Sequence, residues 1–192
     1  MQLKALLIKD DLERSELLKQ SLPQLGHDVV AEATLADDLL KRVESTQADL
    51  LVIASESPGA TLLSRLRELA LRKPLPMVLF TAENKREVIQ QSVRAGVSAY
   101  VVDGLQPHRL GTILEVAVAR FQETDRLRRE LHDAKANLVE RKAVERAKGI
   151  LMKQRGFDEP QAYHALRKMA MDKNLRIGQV AENVIAVAEL LN

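Results

Sequence analysis

The sequence predicts an α/β fold, a doubly wound parallel sheet of five strands, followed by a long helix and an all-α bundle of three helices. Three observations lead there. Over residues 1–110, short apolar runs alternate regularly with helical stretches. From Leu110 to Met152 no proline interrupts a helical pattern. Residues 140–171 then divide at Gly156 into two amphipathic stretches, and a third follows Asn174.

Leu3 to Ile8 reads as a buried strand that ends in Lys9-Asp10-Asp11. Ser15 to Leu22 is helical and is broken by Pro23 and Gly26. Asp28 to Ala33 is the second strand, and Ala36 to Glu44 a helix with Leu39, Leu40 and Val43 inward. Asp49 to Ala54 is the third strand, apolar after its first residue as a central parallel strand would be. Leu62 to Leu71 is a helix that ends before Pro74, and Met77 to Phe80 is the fourth strand. Lys85 to Ala95 is a helix closed by Gly96, and Ala99 to Val102 is the fifth strand, followed by Asp103-Gly104.

In the long helix, Leu110, Leu114, Ala117 and Phe121 step by four, three and four, and Leu127, Leu131, Ala134 and Leu138 repeat the step. Flanked by Arg128, Arg129, Glu130 and Lys135, this suggests a coiled-coil seam, with Leu114, Phe121, Leu127, Leu131 and Leu138 as candidate dimer contacts. The alternative is a long helix packed back on its own α/β domain. Beyond it, Gly156 suits a left-handed C-cap, Asp158 an N-cap, and Pro160 a first helical turn. The last helix carries Ile177, Val180, Ala181, Val184, Val187, Ala188 and Leu191 at helical spacing and is nearly uncharged, which suits packing.

Composition bounds the function. Hydrophobic residues make up 46% of 192, enough for a proper core, and the absence of cysteine excludes disulfides and Cys-ligated metal. The N-terminus reads as strand and helix rather than a signal peptide, and no apolar run approaches a membrane span; a cytoplasmic protein with no membrane partner is expected. Net charge is +2, but residues 140–176 hold ten basic and five acidic side chains. Such clustering is the electrostatic footprint of phosphate binding. The four histidines are scattered, and no nucleophile–base pair, phosphate-cradling glycine loop or zinc motif occurs, so neither an enzyme nor a metal site is expected.

Five βα units with acids after the first strand resemble the receiver domain of two-component response regulators, over residues 1–120. The resemblance puts Asp10 and Asp11 on the paired metal-binding acids, Thr81 on the switch hydroxyl and Tyr100 on the aromatic that reports activation. It also exposes two departures. The phosphoacceptor position at the end of strand three is Ala54, whose methyl cannot form an acyl phosphate. The lysine expected after strand five is Asp103, which would repel phosphoryl oxygens. The domain is therefore read as a pseudo-receiver with no cofactor beyond a weak divalent cation at Asp10 and Asp11. Glu56 is read as a solvated loop residue, the alternative being a substitute acid; Ser55 is an alternative phosphosite.

Glu145-Arg146-Ala147-Lys148-Gly149-Ile150-Leu151-Met152, with Glu159, Ala162-Tyr163, Leu166-Arg167 and Met169-Ala170-Met171, resembles the ANTAR domain, a three-helix RNA-binding module. The resemblance assigns residues 136–192 to ANTAR, leaves 110–140 as a coiled-coil linker, and places the chain near the AmiR/NasT family of antiterminators. It implies a homodimer that binds stem-loops in the leader mRNA of nitrate and nitrite assimilation genes, held inactive by a nitrate-sensing partner protein. Lys142, Arg146, Lys148, Lys153, Tyr163, Arg167 and Lys168 are the candidate RNA contacts, Tyr163 by stacking unless it is core. The competing function is a DNA-binding response regulator, whose recognition helix would have to be the nearly uncharged last one.

Overall fold

The computed structural model describes residues 2–103 and 105–190. Gly104, in the predicted turn after strand five, and Leu191, in the periodicity of the last helix, lie outside the described residues. The chain divides into two compact units, one running to Asp125 and the other starting at Arg126.

The first unit alternates β1 (Lys4–Lys9), α1 (Leu12–Gln24), β2 (Asp28–Ala33), α2 (Leu39–Thr46), β3 (Leu50–Ala54), α3 (Ala60–Arg72), β4 (Met77–Thr81), α4 (Arg86–Arg94) and β5 (Ala99–Val102). The strands form one parallel sheet in the order β2-β1-β3-β4-β5. Because side chains alternate across a strand, consecutive apolar residues feed two different cores. Leu6, Ile8, Leu51, Ile53 and Leu79 pack with Leu39 and Val43 of α2 and Leu62, Leu66 and Leu69 of α3. Ala5, Leu7, Leu50, Val52 and Val78 pack with Leu18 and Leu22 of α1 and with Leu110, Leu114 and Ala117 of the next helix, α5 (Pro107–Arg155).

Several boundaries differ from the sequence reading, and at two helix starts the reason is local. Helix α1 starts at Leu12 because Asp11 caps it, its carboxylate accepting from the Arg14 amide at 3.0 Å, and it runs through Pro23. Helix α2 starts at Leu39 because Asp37 closes its own turn, accepting from the Thr34 amide at 2.8 Å, and Asp38 is the cap. Between α4 and β5, Gly96 has φ +102°, and a Cβ there would stand 2.7 Å from Ala70 Cβ, so only glycine fits.

The second unit comprises the later part of α5, α6 (Glu159–Lys173) and α7 (Ile177–Leu190). Its core is Val144 and Ala147 of α5, Leu166 and Ala170 of α6, and Val180 and Ala181 of α7. Gly156 takes φ +68° after α5, and α6 opens with a reciprocal capping box between Asp158 and Gln161.

The seam predicted along α5 splits in two. Leu114 is buried against the sheet of its own α/β unit and is not available as a dimer contact, because the first repeat packs inward; Phe121 is half-buried. Leu127, Leu131 and Leu138 are all more than half exposed. On α7, Val187 points outward at 56% exposure, contrary to the expected inner face, because Ala188 takes the buried position beside it.

Candidate functional site

Parallel register gathers the strand ends on one edge of the sheet, where sites form in such folds. The pairing of Lys9 with Ala54 sets Asp10 and Asp11 beside the end of β3, and both of their amides donate to the Ala54 carbonyl, at 3.0 and 3.1 Å. The Asp103 amide donates to the Thr81 carbonyl at 3.0 Å, which brings the end of β5 to the same edge.

The side chains there are already committed. The Ala54 methyl is fully buried among Val52, Val78 and Phe80. The Ser55 hydroxyl, also fully buried, donates to Asp10 Oδ2 at 2.6 Å. That contact overturns the reading of Ser55 as an alternative phosphosite, because the hydroxyl is enclosed. Asp11 is engaged twice by Arg14, through the backbone cap and through an ion pair with its guanidinium. Burial acts to raise the Asp11 pKa, but the two hydrogen bonds and the charge of Arg14 hold it below the usual carboxylate value. The same guanidinium reaches Asp103 Oδ1 at 3.5 Å. Thr81 donates to the Glu56 carbonyl at 2.8 Å and accepts from the Glu83 amide at 3.1 Å. Tyr100 donates to the Glu83 carbonyl at 2.9 Å. The Glu56 side chain is exposed.

Chemically, β3 ends on a side chain with no nucleophilic atom, and the cation paired with the acids of this edge is Arg14, the position after β5 being Asp103. A divalent cation at Asp10 and Asp11 would have to compete with Ser55 and Arg14 for their oxygens. Sequence reasoning missed Arg14; the available signal was an arginine three residues after a capping aspartate.

The second unit separates its cations into two kinds. Lys148 is buried, 7% exposed, and its ammonium donates to Glu159 at 2.6 Å and to both Glu145 oxygens at 2.9 Å. The bond to Glu159, then that to Glu145, raises its pKa, while Glu159 is lowered by the same contact. Lys148 is therefore a strut between α5 and α6 and is withdrawn from the candidate RNA contacts. Arg146 is exposed and pairs with Glu189 at 2.6 Å. Lys142, Lys153, Arg167 and Lys168 are exposed, as is Tyr163 at 47%, so the alternative of Tyr163 as core does not hold. Tyr163, Arg167 and Met171 recur every four residues on α6 and share one face. Glu140 of α5 was also missed; its Oε1 accepts from the Gly178 amide near the start of α7.

A five-stranded parallel sheet with this acidic edge, followed by three packed helices, defines a response regulator with a helical output module. Residues 5–115 match the response regulator receiver domain and residues 132–185 the ANTAR domain. The chain belongs to the ANTAR-domain response-regulator antiterminators, whose two component families are regulatory. It is 31% identical over 168 residues to the transcriptional regulatory protein PdtaR of Mycobacterium tuberculosis, covering 88% of this chain and 82% of that one. It is 41% identical over 78 residues to the nitrate regulatory protein of Klebsiella oxytoca, which is 41% of this chain but only 20% of that protein. Among solved structures, the signal receiver domain of a modulated diguanylate cyclase from Desulfovibrio desulfuricans aligns with TM-score 0.56 at 18% identity. That alignment covers 65% of this chain and 99% of that one, and shows the fold alone.

Proposed function

We propose that this protein regulates transcription by antitermination, its second unit binding paired stem-loops in a leader mRNA so that a terminator hairpin does not form. The observation that carries the reading is the set Lys142, Arg146, Lys153, Tyr163, Arg167 and Lys168, all exposed on the unit that matches the ANTAR domain. Arg and Lys supply phosphate contacts, and an exposed aromatic offers a face to an unpaired loop base. The active species is a homodimer joined through Leu127, Leu131 and Leu138, since three exposed leucines along one helix call for a partner. The nitrate regulatory protein among its relatives supports nitrate and nitrite assimilation genes as targets. Control comes from an inhibitory nitrate-sensing protein rather than from phosphoryl transfer, because the edge of the sheet holds Ala54 and a committed Arg14. A DNA-binding regulator is disfavoured by α7, which carries Glu182 and Glu189 and no basic residue within Ile177–Leu190.

The test is competition. Labelled leader RNA with two stem-loops should be displaced by the same RNA unlabelled and not by duplex DNA of equal length. Equal displacement by the DNA would overturn the proposal.

A further inference from the structure

Gly149 lies inside α5, six residues before its end, where glycine weakens a helix relative to alanine. No turn requires it, since its φ is not positive. No packing requires it either: a Cβ built there meets nothing within 4 Å. Gly178 in the same unit is the contrast, as a Cβ there would stand 2.6 Å from Glu140 Cγ. The helix thus carries a weakening residue beneath open space.

The residues around that space are cationic. Arg146 is three residues before Gly149, Lys153 four after and Lys142 seven before, so all three share its face of the helix, and all are exposed. Two carboxylates lie close by. Glu145 is held by Lys148, and Glu189 by Arg146.

We propose that Gly149 is where the RNA backbone approaches α5, a phosphodiester lying against the bare helix between Arg146 and Lys153. A side chain there would hold the phosphate away from both cations. The inference rests on the RNA-binding reading and deepens it. A second copy of the chain is the other candidate occupant. A two-fold contact through this face would set three cations against the same three, whereas RNA brings the opposite charge.

The experiment uses the full chain. Wild-type protein selects RNA from a pool of paired stem-loops with randomised loops. Affinity for the selected RNA, melting temperature and sedimentation are then measured for wild type, Gly149→Ala and Gly149→Leu. Both variants should melt higher than wild type and keep its mass. Both should bind the RNA more weakly, Gly149→Leu by about tenfold or more through loss of phosphate contact. Higher melting with unchanged affinity overturns the assignment, as does a lower melting temperature, which would make the glycine structural. A changed mass with unchanged affinity overturns it in favour of a second copy. If the pool yields no bound RNA, the antitermination reading fails and takes this inference with it; RNA bound equally by all three proteins sinks the Gly149 assignment alone.

Discussion

Single residues decide whether each half of this molecule performs the chemistry of its family. The sheet edge carries Ala54 and Asp103 where the receiver resemblance puts a nucleophile and a lysine, and the Ser55 hydroxyl is enclosed. Incubation with acetyl phosphate should therefore leave the intact mass unchanged; stoichiometric modification of the first unit would contradict this. Tyr163, nearly half exposed, should matter to binding and little to folding. Tyr163→Ala is expected to weaken RNA binding by about 1–3 kcal/mol, the value of one stacked base. The melting curve by circular dichroism should barely move, and a sharp drop would make the residue structural. Lys148 should show the reverse pattern. The folded Glu159 pKa lies below its ordinary value of 4.5, so its contribution is present above that pH and lost as pH falls through the folded value. The raised Lys148 pKa gives a contribution present below 10.5 and lost only as pH rises through the folded value. Lys148→Met should lower the melting temperature at neutral pH and flatten its acid decline, with affinity for RNA retained by folded protein.

At the scale of elements, α5 serves three environments in one helix. Its first turns bury Leu110, Leu114 and Ala117 under the sheet. Its middle exposes Leu127, Leu131 and Leu138, and its last turns supply Val144 and Ala147 to the core of the second unit. Exposed leucines in the middle fit a partner helix. Leu131→Glu with Leu138→Glu should convert a dimer to a monomer in sedimentation, since a charge placed in an apolar seam costs several kcal/mol unless paired. A mass unaffected by the pair would remove α5 from the dimer interface. The leucine at 114 should not be used in such a test, because its loss would damage the first unit instead.

For the whole molecule, two units with no core in common imply two separable sources of stability. Leu51 is fully buried in the sheet and Leu166 fully buried in the helical unit. Either leucine replaced by alanine should cost about 2–5 kcal/mol. Hydrogen exchange should place the loss of protection in the first unit for Leu51→Ala and in the second for Leu166→Ala. Protection lost equally across both units in either variant would show that they unfold as one.

What the sequence determined by itself was the periodicity and the chemistry of individual positions. Five strands, the helix joint at Gly156 and Asp158 and the dense ANTAR-like motif were all legible, because apolar spacing, capping residues and motif identity are local properties. Tertiary structure decided which faces were left over. Leu114 and Leu131 have the same seam pattern in sequence, yet one lies under the sheet and the other is exposed. Lys148 and Lys153 are equally basic in the sequence, yet one is enclosed by Glu145 and Glu159, brought together across two helices. Arg14 meets Asp11 by local spacing, but it reaches Asp103 only because the sheet order β1-β3-β4-β5 gathers residues far apart in the chain. Whether an exposed-looking side chain is free or already engaged depends on partners contributed by other elements, and no local pattern encodes them.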